Sequence, residues 1–227
     1  MMRQSDSTVP KRSVIEFVAL MALMTSIVAL STDAMLPALP IIGGDLGVEF
    51  ANDNQLVISA VFLGLAVGQI FFGPVSDTIG RKPAISIGFA IFAAGCILSI
   101  VATDFNTMLV GRVLQGVGAA GPRTVAIAVV RDQYAGREMA RILSLVMTIF
   151  ILVPIVAPLL GQGILYVGNW RGIFFLFLAL AVVAFLWLTI RQPETLPRNR
   201  RQQFSLSRIG RATIEVCSTR LVIGSTL

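Results

Sequence analysis

Three ionisable side chains, Asp33, Arg112 and Arg123, sit inside long apolar runs of this 227-residue chain. An ion at the centre of a membrane helix costs about 2.5–3.5 kcal/mol on insertion scales, so each of the three is expected to meet water or a partner. The chain has no histidine, so any proton carried near neutral pH would need a carboxylate with a shifted pKa. Arg112 is opposite in sign to Asp33. At 1.5 Å per residue, Asp33 lies roughly 28 Å from the start of its run and Arg112 roughly 9 Å into a run entering from the opposite side, so the two can share one depth. The alternatives are an interfacial helix-end charge for Asp33 and snorkelling for Arg112. Arg123 follows Arg112 by 11 residues, about three helical turns, and points the same way within roughly 20°. It is expected to face a watery cavity or a partner. Gln115, one turn from Arg112, and Gln69 add hydrogen-bonding capacity at membrane depth. Together they place charge and hydrogen-bonding capacity inside the apolar runs. The set does not resemble a catalytic site, because no nucleophile, base and orienting group cluster. No spacing fits a metal, and Cys96 and Cys217 read as incidental thiols.

A second charged set occupies a short link, Gly73-Pro74-Val75-Ser76-Asp77-Thr78-Ile79-Gly80-Arg81-Lys82-Pro83. Two spans that return through so short a link lie side by side, which fixes Asp77, Arg81 and Lys82 at one membrane face. Gly80 permits a backbone conformation that other residues resist. Alone, the basic pair is a topology signal. An acid four residues before an arginine adds an ion pair to the end of another helix, for which Arg131 is the expected partner.

The elements that must position these groups are transmembrane helices. The chain is 56% hydrophobic and 13% charged, with a mean hydropathy of +0.84, well above a soluble domain. The net charge of +6 is bunched in linkers, which points to lipid and not to nucleic acid. About 20 residues cross the hydrocarbon, and six spans are expected near residues 14–37, 54–75, 83–103, 106–130, 140–166 and 171–190. Basic residues before the first span, after the second, around the fourth linker and after the sixth put both ends in the cytoplasm; the other linkers carry Asp45, Glu49, Asp53, Asp104 and Arg171. The fold class is thus an all-α membrane protein. Residues 1–13 read as a cytoplasmic N-terminus, 14–190 as a six-helix transmembrane bundle, and 191–227 as a cytoplasmic linker and the start of an interrupted seventh helix. Ala60, Gly64 and Gly68, with Gly111, Gly118, Ala119, Ala120 and Gly121, let the second and fourth spans pack backbone to backbone. Pro37 and Pro40 are expected to end the first span, and Pro122, Pro154 and Pro158 to interrupt the fourth and fifth.

These motifs resemble a known family. Gly73 to Lys82 is similar to the loop signature of the major facilitator superfamily, and Leu109-Val110-Gly111-Arg112-Val113-Leu114-Gln115-Gly116-Val117-Gly118-Ala119-Ala120 to its fourth-helix signature. Asp33-Ala34-Met35-Leu36-Pro37 resembles the first-helix signature of the twelve-helix drug/proton antiporters. Pro154 to Gly163 resembles their fifth-helix motif, through Pro154, Pro158, Gly161 and Gly163, although Ala157 stands before the second proline and Gln162 separates the two glycines. The branch it looks most like is the bicyclomycin-resistance (Bcr/CflA) type.

The resemblance implies one six-helix half of such a transporter, a 3+3 inverted repeat. It implies proton-coupled multidrug efflux by alternating access across the cell inner membrane. Asp33, Arg112, Gln115 and Arg123 become the substrate and proton-coupling set, and Gly73, Asp77, Gly80, Arg81, Lys82 and Arg131 a cytoplasmic latch. The proton gradient supplies the energy, with no cofactor. The implied partners are a small amphipathic drug-like substrate, protons, the bilayer, and a second six-helix half or a second copy, since the length covers one half only. A non-transporting membrane assembly partner and a permease for another small polar solute are the competing readings.

Overall fold

A computed structural model describes residues 14–202. Residues 1–13 and 203–227, and with them the expected N-terminal segment and the start of a seventh helix, lie outside the described residues. Backbone polar groups have no water to bond in hydrocarbon, so the long apolar runs close their hydrogen bonds internally as helices. These are α1 (Val14–Asp33), a short α2 (Leu39–Asp45), α3 (Leu56–Ile79), α4 (Arg81–Ile100), α5 (Phe105–Gln133), α6 (Gly136–Val167) and α7 (Arg171–Arg191), with 3-10 turns at Leu36–Ala38, Ala51–Gln55 and Arg198–Arg200. Among the described residues, six helices are long and apolar enough to cross a membrane, the first of them running from Val14 to Asp45 across a break.

That break corrects one expectation. Pro37 and Pro40 do not end the first span; α1 stops earlier, at Asp33, and the two prolines open the elements that follow. A proline in a first turn loses no hydrogen bond, because that N–H has no helical partner anyway. Pro122, Pro154 and Pro158 lie inside α5 and α6, which continue through them, as α3 does through Pro74. The charged link is also tighter than its sequence suggests. α3 runs to Ile79 and α4 begins at Arg81, so Gly80 alone makes the turn, at φ 111° and ψ 161°. Residues with a β-carbon avoid that region.

α5 is the axis of the bundle. It packs against α3 on one side and α4 on the other, while α1 packs on α6, α5 and α7. The contact is backbone on backbone. A methyl group on Gly64 would run into the carbonyl of Val113, one on Gly116 into the carbonyl of Val61, and one on Gly118 into the amide of Phe92. The recurring small residues are therefore the seam itself.

Polar contacts tie the helices together at both ends of the bundle. At one end Trp170 Nε1 donates to Asp45 Oδ2 at 2.8 Å, and Arg171 donates to the carbonyls of Ile100 and Ala102, both at 3.0 Å. Arg171, the basic residue on the otherwise acidic side, thus caps the C-terminus of α4. Nearby, Asp104 opens α5 by accepting from the backbone N–H of Thr107 at 2.9 Å and from its hydroxyl at 2.7 Å, which holds its carboxyl below the usual carboxylate range. At the opposite end Glu16 accepts from Trp187 Nε1 at 3.2 Å and pairs with Arg191 at 3.1 Å.

The seam sets a sharp steric limit. Gly116→Val should lower the stability of the detergent-solubilised chain by about 1–3 kcal/mol or more through overpacking. Gly163→Ala, where a methyl meets nothing within 4 Å, should leave the melting temperature unchanged or raised. Equal melting temperatures for the two variants would contradict the seam.

Candidate functional site

Arg112 is wholly buried, at 0% exposure, and snorkelling is thereby excluded. Its fork reaches two other helices and a neighbour on its own. Nε donates to the carbonyl of Val57 in α3 at 3.1 Å, Nη2 to the carbonyl of Ser31 in α1 at 2.8 Å, and Nη1 to Gln115 Oε1 at 2.5 Å. Gln115, also buried, passes the network to α4 by donating from Nε2 to Cys96 Sγ at 3.2 Å. The face of Phe174 in α7 lies 5.7 Å from the guanidinium carbon, a distance at which a ring quadrupole attracts a cation.

The Ser31 bond exists because α1 breaks. In a continued helix the Ser31 carbonyl would accept from the N–H of Met35, but that N–H donates to Thr32 instead. Arg112 therefore caps the C-terminal end of α1, where unsatisfied carbonyls concentrate negative charge. α6 closes on the same point, since a methyl on Gly161 would strike the Ala34 carbonyl.

An ion pair between Asp33 and Arg112 is not present. The two do share a depth, because Arg112 reaches the carbonyl two residues before Asp33, but the cation is met by carbonyls, an amide oxygen and a ring face. Asp33 is half-buried as the last residue of α1 and accepts from its neighbour Thr32 Oγ1 at 3.3 Å. Of the fifth-helix set, Gly161 alone meets the α1 break in this way; Pro154 is exposed, Pro158 half-buried, and Gly163 borders open space.

The second cluster is built on Arg81. Nη1 donates to Asp77 Oδ1 at 2.5 Å and to Ser76 Oγ at 2.8 Å, and Nε donates to Asp132 Oδ2 at 2.9 Å. The arginine at the start of α4 thus ties the end of α3 to the end of α5. This corrects the expected partner. Asp77 pairs with Arg81, and the residue that answers from α5 is Asp132, not Arg131. Adjacent residues on a helix point about 100° apart, and Asp132 is the one whose side chain reaches the Arg81 guanidinium.

Arg131 instead lines a cavity of about 700 Å³ beside the cluster, with Gln69, Gly73, Asp77, Arg123 and Asp132. Arg123 is half-buried there, its guanidinium carbon 5.4 Å from the centre of the Phe150 ring in α6. The structure therefore separates Arg123 from Arg112, about 16 Å away along α5, and groups it with the latch residues.

The family model of the Major Facilitator Superfamily matches residues 21–225. The chain belongs to that superfamily. It is 33% identical over 184 residues to an uncharacterised MFS-type transporter, YdgK, of Bacillus subtilis, covering 80% of this chain and 46% of the relative. It is 36% identical to the multidrug resistance protein MdtL of Citrobacter koseri, covering 81% of this chain and 50% of that one. It is 27% identical to a bicyclomycin resistance protein homologue of Haemophilus influenzae, with coverages of 94% and 54%. The crystal structure of the human organic anion transporter MFSD10 (TETRAN) shares the fold, with a TM-score of 0.65 at 17% identity over 86% of this chain and 52% of that one. The chain spans about half the length of the curated relatives it matches.

Within this superfamily chain, two polar residues of the charged cluster escape sequence reasoning. Asp132 stands in a basic stretch, where its neighbour Arg131 draws the eye; the signal was an acid in a cluster whose cations needed an answer. Glu194 follows α7 in a polar segment with no periodicity, and its partners are backbone groups, which no sequence pattern advertises.

Arg112 should be irreplaceable even by lysine, which cannot reach Val57, Ser31 and Gln115 together. In a Cys217→Ser background, Cys96 is the remaining thiol. Arg112→Lys is expected to lower stability by about 1.5–3 kcal/mol for each charged hydrogen bond lost. A thiol-reactive fluorophore should then label Cys96 at a lower temperature. An unchanged labelling temperature would show that the network does not hold the bundle.

Proposed function

We propose that this chain forms one six-helix half of a proton-coupled multidrug efflux transporter, seated in the cell inner membrane with its N-terminus cytoplasmic. The observation that carries this reading is the buried Arg112 fork on the broken end of α1, beside Asp33. A broken helix next to an ionisable carboxylate is a device for turning protonation into movement. Adding a proton to Asp33 removes a charge at the break, changes how well a cationic or polar amphipathic drug is held there, and shifts the population between inward- and outward-open states. Arg112 and Gln115 keep the broken end attached to the core while this happens.

The cluster at the α3–α4 turn serves as the cytoplasmic latch of that cycle. Asp77, Arg81 and Asp132 hold three helix ends together, and Arg123 and Arg131 line the adjoining cavity. α3 and α6 carry exposed apolar residues, among them Phe62, Leu63, Ile151, Ile155 and Leu159. That surface suits lipid and a second six-helix half, or a second copy. The proton gradient supplies the energy, and no cofactor is required. Two relatives are named for multidrug and bicyclomycin resistance, which favours drugs as the substrate class.

The test is ethidium transport in everted vesicles made from cells producing this chain together with a second six-helix half. An imposed pH gradient should drive accumulation, an uncoupler should collapse it, and Asp33→Asn should reduce it at least tenfold. Accumulation that ignores the gradient, or that survives Asp33→Asn, would remove the proton-coupled reading.

A further inference from the structure

α4 begins without a cap of its own. Its cap position is Gly80, which offers no side chain to accept from the first turn. The first N–H groups of a helix have no internal partner and must find one elsewhere. Here the accounting is short: Pro83 has no N–H, and Ala84 donates to the Gly80 carbonyl at 3.3 Å, which leaves Arg81 and Lys82. Both donate to one carboxylate more than a hundred residues away. Arg81 N–H reaches Glu194 Oε1 at 2.9 Å, and Lys82 N–H reaches Glu194 Oε2 at 3.2 Å. The same Oε1 accepts from Leu196 N–H at 3.0 Å, which curls the segment around its own glutamate. An anion at this position also meets the positive end of the α4 dipole.

The rest of the segment touches the latch at its two other members. Thr195 Oγ1 donates to Asp132 Oδ2 at 3.1 Å, the oxygen that also accepts from Arg81 Nε, and Gln202 N–H donates to the Asp77 carbonyl at 3.0 Å. Gln192 and Leu196 are buried. At the turn, a methyl on Gly80 would come within 2.5 Å of Glu194 Oε2 and 2.9 Å of an Arg201 guanidinium nitrogen. The glycine therefore serves the strap as well as the backbone angle.

We infer that residues 192–202 are a working strap of the latch and that Glu194 is its positioning residue. By holding the first two amides of α4, Glu194 fixes where the Arg81 side chain starts, and so lets one guanidinium reach Asp77 and Asp132 together. The latch then has four parts, the ends of α3, α4 and α5 and the strap, and it opens only when the strap lets go or travels with α4. This deepens the proposed function and rests on the reading of the cluster as a gate.

Hydrogen exchange on the full chain in lipid nanodiscs tests the strap without requiring transport. Glu194→Ala should speed exchange at least tenfold in peptides covering residues 79–86, and also in those covering 129–133, with α6 peptides unchanged. Glu194→Gln keeps an acceptor oxygen and should recover part of the protection. Thr195→Val removes only the bond to Asp132 and should affect 129–133 alone. Acceleration confined to residues 192–202 would overturn the inference. A second arm uses the ethidium assay with the rate expressed per folded protein: Glu194→Ala should change the maximal rate several-fold while the half-saturating concentration stays within twofold. An unchanged rate would also overturn the inference, whereas loss of pH-gradient dependence in the unsubstituted chain would count against proton coupling and leave the exchange result standing.

Discussion

A guanidinium sealed inside a membrane protein cannot be left without acceptors, and the placement of Arg112 constrains the rest of the bundle. To give it the Val57 carbonyl, α5 must approach α3 closely enough to exclude a β-carbon at Gly64 and Gly116. To give it the Ser31 carbonyl, α1 must break so that the Met35 N–H turns to Thr32 and leaves that carbonyl free. To hold Gln115 in place, α4 must bring Cys96 beside it. No carboxylate pairs with the cation among the described residues. A charge held by fixed carbonyl dipoles depends on geometry far more than one held by a mobile carboxylate, because dipole attraction falls quickly as the angle opens. The break in α1, the glycine seam and the α4 contact are thus one structural solution.

The helix ends follow the same logic. The turns are too short to carry their own caps, so distant side chains supply them. Arg112 serves α1, Arg171 serves α4 at its C-terminus, and Glu194 serves α4 at its N-terminus. Asp104, capping α5 from the adjacent position, is the local exception. A long-range cap does more than satisfy a donor. It ties an element to a segment remote in sequence, so one cannot shift without carrying or releasing the other. Since such bonds are worth on the order of 1–3 kcal/mol when a charged group takes part, they hold a conformation firmly yet remain within reach of a ligand or proton.

What could be read beforehand divides along a physical line. Six spans, their small-residue seams and the clustering of Asp77 with Arg81 follow from side-chain pattern, and side chains are what a sequence displays. Backbone acceptors carry no letter. Asp33 and Arg112 looked like partners because they were the visible opposite charges at one depth, while the carbonyl of Ser31 stood two residues away. The same blindness hid Glu194, whose partners are backbone amides. Arg131 and Asp132 present a different difficulty, since neighbouring positions on one helix differ only in angle, and a rotation of about 100° decides which of them reaches the turn.

α5 is where the two polar clusters meet. It spans 29 residues, about 43 Å at the helical rise, with Arg112 near one end and Arg123 and Asp132 towards the other. Because backbone-to-backbone packing fixes α5 to α3 and α4, these three helices have little freedom to slide past one another. α1 joins this body through a side-chain fork and a broken end, which are softer attachments. In the proposed cycle, a charge change at Asp33 would therefore be expressed first as movement of the α1 break and of α6 against it at Gly161, with the rigid trio carrying any resulting tilt to the Asp77–Arg81–Asp132 cluster. Coupling of this kind needs no chain of side-chain contacts along the helix. It needs only one stiff element held at both ends, and the glycine seam supplies the stiffness.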